Sequence, residues 1–412
     1  MRWLIQLPLR IWQTRRTNVS CAVLLSFALI WGAGLAVRFA AGQVPAGPAI
    51  VAGQLDLRAH DFRQAGSIDL EGDWQFYWQQ LVLPTARLHR EANGLTTGGG
   101  DTAQYYPVPA TWNGRSLGEQ QLGGQGYGTY RLRVLLPRKF TGRPPLALRL
   151  TSASTSLRVF ANQMLVLERG QVADNAAETE PALQPALIPL NEIDDELELT
   201  IHVANFEHRR GGLWAAPRLG ATEALRGERA RGLSTDLFLC GALLIMGCYH
   251  LILYLLRPAD RSPLYFGVLC LLVILRVIGT GDRWLVQNFP GVPFDVYYRL
   301  EYLSFYLSVP AFGLFIWNIF PDEAHRWLMR TIIVAGSVFG ALVLFTPLIV
   351  FTSTLTAYQL ITLGAGLYGL VIGIWAWQRE RQRASLFWVF WLLLFGAVVH
   401  EILEAYLAFL AP

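Results

Sequence analysis

The sequence predicts a mixed membrane protein, an all-β jelly-roll domain at residues 43–230 followed by an α-helical transmembrane bundle at residues 231–412. Of 412 residues, 53% are apolar and 16% charged, against about 25% charged in an ordinary soluble protein. The apolar residues concentrate in the first 40 and the last 180 positions. Between them, short alternating patterns are separated by turn signals, as an all-β domain requires.

Residues 1–42 read as a cytoplasmic N-terminus and a transmembrane anchor or signal. Positions 18–37 carry no charge and follow Arg10, Arg15 and Arg16; about 20 apolar residues cross roughly 30 Å of hydrocarbon as a helix. Ala40-Ala41-Gly42 is only a fair cleavage site, so an uncleaved anchor is expected over a cleaved signal. Both readings export the domain that begins at residue 43.

In the exported domain, Leu197, Leu199, Ile201 and Val203 alternate with Glu198, Thr200 and His202, which predicts a strand with one packed and one wet face. Residues 129–136 and 146–150 behave likewise, and 157–160 joins 164–167 through a hairpin turn at Ala161-Asn162-Gln163. The glycine-containing stretches 94–100 and 118–128 lack the Lys-Ser/Thr of a phosphate loop and read as flexible loops. Asp69, Glu71 and Asp73 are expected on one strand face as a solvated edge rather than as a hydrolase pair.

Six further apolar helices are expected at about 233–256, 263–281, 296–319, 327–346, 354–377 and 385–408. The basic joints Arg257/Arg261, Arg326/Arg330 and Arg379/Arg381/Arg383 fall at every second connection, which places those joints in the cytoplasm and residues 43–230 in the periplasm of a bacterial inner membrane. This order ends the chain outside, so signalling output is expected from a separate partner or beyond this sequence.

Charge divides the same way. Residues 43–230 hold 18 basic and 20 acidic residues, and the remainder holds 16 and 10. The excess base belongs to membrane flanks, which excludes a nucleic-acid footprint. Cys21, Cys240, Cys248 and Cys270 all lie in apolar stretches, so there is no disulfide framework and no metal spacing.

Residues 70–78 (LEGDWQFYW), 108–112 (VPATW), 128–131 (GTYR), the Asn162 turn and 203–212 (VANFEHRRGG) occur in that order. The set resembles the exported galactose-binding-like sandwich of bacterial seven-transmembrane receptors with diverse intracellular signalling modules. It is also similar to the sugar-binding sandwich at the front of some glycoside hydrolases. Residues 255–266, Arg299–Leu303, Phe320-Pro321 and His400–Leu403 resemble the membrane region of that receptor family. The resemblance implies a membrane receptor in signal transduction whose sandwich binds a small ligand. A departure is that the family carries seven helices after the exported domain and then a cytoplasmic module.

Ligand-binding candidates are Asn205, His208, Arg209, Gly211, Gly212 and Trp214, because a few donors and acceptors beside an aromatic platform make a small-ligand site. Trp112 joins them as a ring that stacks on a flat ligand; Trp74, Phe76 and Trp78 share one strand face and are expected in the core. Ionisable residues in membrane helices are costly and mark function by default, so Asp236, Arg276, Glu301, Glu401 and Glu404 are expected to form a charged cluster that couples the sandwich to the helices. Arg276 is expected to pair with Glu401, Glu404 or Glu301. The expected partners are a small-molecule or carbohydrate ligand, the lipid bilayer, a cytoplasmic signalling partner and, in a homodimer, a second copy. No enzymatic residue, cofactor or metal is called for. The competing readings are a transporter or channel subunit with an exported cap, and a membrane-tethered glycan-processing protein.

Overall fold

The computed structural model describes residues 48–84, 104–138, 143–151, 155–182, 184–190, 193–381 and 384–410. The expected anchor at 18–37 and the stretch 94–100 lie outside the described residues. Two compact units result, residues 48–365 with 401–410 and residues 366–400.

The N-terminal part of the larger unit is a β-sandwich. Its seven-stranded sheet runs Met164–Arg169, Ser156–Ala161, Glu196–Asn205, Gly126–Leu135, Gly72–Trp78 and Gln104–Val108, all antiparallel, with Gln54–Asp56 parallel to the end of Gly126–Leu135. The second sheet runs Ala186–Leu190, Leu146–Leu150, Arg218–Ala221 and Ser67–Asp69. Leu197, Leu199, Ile201 and Val203 are fully buried and share one core with Leu148, Ile188 and Leu219 of the second sheet. Trp74 and Phe76 lie in that core, and Trp78 packs against it edge-on to Trp112. Asn162 takes the left-handed conformation (φ 56°) that closes the hairpin between Ser156–Ala161 and Met164–Arg169.

Two expectations are corrected here. The face expected to be wet is covered in part: Thr200 and His202 are buried, and the segment after Trp78 lies against His202. The His202 imidazole bonds the Val82 carbonyl through Nε2 (2.8 Å), and Thr129 donates to the Gln80 carbonyl (2.6 Å). Asp69 and Asp73 do not share a strand, since the chain changes sheets at Gly72 (φ 136°), where a side chain would meet Ile50.

Eight helices follow among the described residues: α1 (Thr222–Leu256), α2 (Ser262–Gly279), α3 (Trp284–Asn288), α4 (Phe294–Ile319), α5 (Arg326–Phe345), α6 (Leu348–Ser353), α7 (Leu355–Gln378) and α8 (Ala384–Leu410). Of these, α1, α2, α4, α5 and α7 are long and apolar enough to cross a membrane. The short α3 and α6 sit in connections that periodicity left blank. α1 begins at Thr222 rather than near 233 because its first turns are polar: Glu228 receives Arg218 of the second sheet at 2.8 Å. Tyr298, Tyr302 and Tyr306 recur every fourth residue on one face of α4 and pack with Phe351 and Tyr358. α4 carries Pro310 within it, and Gly336 of α5 receives that ring at a separation no side chain would allow.

In the smaller unit, the glycines of α7 at 366, 369 and 373 lie against Phe395, Trp391 and Trp388 of α8. Small residues let membrane helices approach closely.

Candidate functional site

The strand Glu196–Asn205 ends in a loop that carries most of the ligand-binding candidates. Asn205 is fully buried, and its amide donates to the carbonyls of Gly124 (2.5 Å), His208 (2.8 Å) and Arg210 (3.1 Å). Its Oδ1 accepts the His208 backbone N–H at 3.1 Å. Asn205 therefore spends its hydrogen-bonding capacity on shaping the loop. Trp112 is equally buried and donates to the Tyr130 hydroxyl at 2.6 Å. The room expected around Gly211-Gly212 is taken by the Trp112 ring, which a side chain on Gly211 would overlap.

His208 projects from this loop onto the helices. Its ring lies 4.8 Å from Trp214 and 5.2 Å from Tyr298 of α4. Burial pushes the imidazole down to about 3, so it is neutral near pH 7. The neighbouring Arg209 is pinned through its carbonyl, which accepts from Asn113 at 2.7 Å.

A second contact is built by the turn between α2 and α3. Gly281 (φ 59°) and Arg283 (φ 51°) both adopt the left-handed region, which reverses the side-chain direction over three residues. Asp282 receives Arg149 of the second sheet at 2.7 Å, and Arg283 reaches Glu301 of α4 at 3.2 Å. The Arg283 guanidinium also lies 5.7 Å over the Tyr298 ring. All four ion-pair partners are at most 16% exposed, which removes most of the solvent screening that weakens surface pairs. Gln287 of α3 locks the turn by bonding the Asp282 carbonyl and Arg229 of α1.

Among the described residues the coupling candidates are placed as follows. Glu301 pairs with Arg283, whereas the Arg276 guanidinium lies 5.2 Å over the Phe305 ring. Asp236 sits beside Gly281, 3.7 Å from where a side chain there would begin. Glu401 and Glu404 lie on α8, with side chains outside the described residues. Sequence reasoning missed Arg149, Asp282 and Arg283. The available signal was that Arg283 is the sole basic residue of the connection 280–293.

Residues 233–412 match the family model described as 7TM diverse intracellular signalling. No curated protein matches the chain. Among solved structures, a β-glucuronidase from an uncultured Clostridium sp. is similar over 37% of this chain and 28% of its own, at 15% identity and a TM-score of 0.26. The Faecalibacterium prausnitzii β-glucuronidase is similar over 34% and 21%, at 20% identity and 0.23. A Ruminococcus gnavus β-glucuronidase bound to D-glucuronic acid gives 37% and 29%, at 14% identity and 0.27. The chain spans less than a third of the length of each of these enzymes.

Proposed function

We propose that this chain, which belongs through residues 233–412 to the 7TM diverse intracellular signalling family and is a multi-pass membrane sensor, detects a small ligand with its periplasmic sandwich. Occupancy passes to the helices through the turn 280–283. The observation that carries this reading is the adjacency of Asp282, held by the sandwich at 2.7 Å, and Arg283, held by α4 at 3.2 Å. A ligand shifts such a system only by favouring one arrangement over another. Two largely buried ion pairs on neighbouring residues, each demanding good geometry, supply elements with discrete arrangements. The ligand class expected is a small molecule, with carbohydrates first to be tried, and the output goes to a cytoplasmic signalling partner.

Hydrogen exchange of the full chain in lipid nanodiscs tests the route. Arg149→Met releases Asp282 and a 4.0 Å contact with Glu228 of α1 while leaving the Arg283–Glu301 pair untouched, yet it should speed exchange at the amides of 294–303, the first turns of α4. Unchanged exchange there would remove the turn as the route. A membrane-impermeant maleimide should label Gln121→Cys in intact cells and Arg261→Cys only after permeabilisation; the reverse order would overturn the periplasmic placement.

A further inference from the structure

Three buried side-chain atoms in the loop that rests on α4 have no hydrogen-bond partner among the described residues: Nε and Nη2 of Arg209, and Nε1 of Trp214. All three are donors, so the chemistry they lack is an acceptor. Of the acceptors in the same loop, the carbonyls of His208, Arg209 and Arg210 and the Oδ1 of Asn205 already receive other donors, and Glu207 is exposed.

Nε and Nη2 form one edge of a guanidinium, the fork that takes two oxygens side by side. This protein uses that edge on its own carboxylates at Arg58–Asp56, Arg133–Glu196 and Arg158–Glu168. At Arg209 the edge is buried and faces none of the carboxylates among the described residues. Its charge lies within electrostatic reach of the Tyr302 and Tyr306 hydroxyls of α4. The carboxylate acting on Tyr302, Glu301, is already held by Arg283 at 3.2 Å. Glu301 is thus engaged elsewhere, and buried donors left without an acceptor are costly.

We infer that the junction of the sandwich loop with α4 binds an oxyanion, a carboxylate or phosphate group, on the Nε–Nη2 edge of Arg209. This deepens the receptor reading by naming the charge of the ligand and the residue that reads it. Transmission through the turn 280–283 does not depend on it. The same chemistry is available from a soluble anion and from an anionic lipid headgroup.

The test uses the full chain in phosphatidylcholine nanodiscs, titrated calorimetrically with inorganic phosphate and with benzoate, and in discs containing phosphatidylglycerol, read by melting temperature. The wild type should bind one of the soluble anions or melt higher in phosphatidylglycerol; the first result identifies a soluble ligand and the second a headgroup. Arg209→Met should weaken that binding at least tenfold, or cancel the shift, and Arg209→Lys should retain part of it. In phosphatidylcholine without added anion, Arg209→Met should melt no lower than the wild type, because it removes two buried donors that meet no acceptor. A wild type silent to all three probes, a methionine variant that responds like the wild type, or one that is less stable without anion would each overturn the inference. Exchange in α4 of Arg149→Met is unaffected by any of these outcomes, so the two readings fail separately.

Discussion

At the turn 280–283, opposite charges link sandwich and helices at 2.7 and 3.2 Å, whereas α7 and α8 meet through glycines laid on aromatic rings. The rings of Phe387, Trp391 and Phe395 stack along α8 at 6.4 and 5.5 Å, nearly parallel. Shape complementarity of the second kind is lost gradually as surfaces separate and has no preferred partner beyond fit. Ion pairs of the first kind are strongly directional, and a buried one broken on one side leaves a charge that nothing solvates. The contact suited to switching is therefore the charged one, and the contact suited to holding is the apolar one.

The sharpest way to break the contrast is Glu301→Gln, which strands Arg283. It should destabilise the chain by about 3–5 kcal/mol, seen as a fall in melting temperature in nanodiscs, and the double change with Arg283→Met should recover part of the loss. If the single and double variants melt alike, the pair is not the determinant. On the apolar side, Gly366→Val drives a side chain into Phe395 and should cost about 1–3 kcal/mol. That cost should be unchanged between low and high salt.

Acid should act on the junction and leave the α7–α8 contact alone. His208 ionises near 3 in the folded chain against an ordinary 6.5 because burial disfavours the charged ring. The unfolded chain then binds the extra proton between those values, so His208 adds stability that is full above about pH 6.5 and is lost as pH falls towards 3. His208→Phe should flatten the stability profile in that window; an identical slope would show that other groups carry it. The smallest effect expected is at the exposed Arg226–Glu223 pair on the first turns of α1, where Glu223→Gln should change the melting temperature little.

Much of the architecture was legible because periodicity reports burial directly. The alternation at 197–203 and the uncharged runs after 233 need no tertiary information. What periodicity could not show was a second layer over a sheet: His202 and Thr200 read as solvent-facing, and the segment at 80–83 that lies against His202 carries no pattern of its own. The site was legible in part. The polar loop 205–214 was marked by composition, yet composition cannot tell a donor used inwards, as in Asn205, from one left facing the helices, as in Arg209. The partner of Glu301 was missed because charges were matched between helices, while Arg283 lies in a connection where left-handed backbone redirects its side chain.

The central claim is that the turn transmits between a sandwich residue and a helix residue that share no partner. The most direct measurement is a double-mutant cycle of Arg149→Met and Glu301→Gln on the stability of the full chain. Transmission predicts an interaction energy of about 1 kcal/mol or more. Additivity within about 0.3–0.5 kcal/mol, as independent sites give, would contradict it.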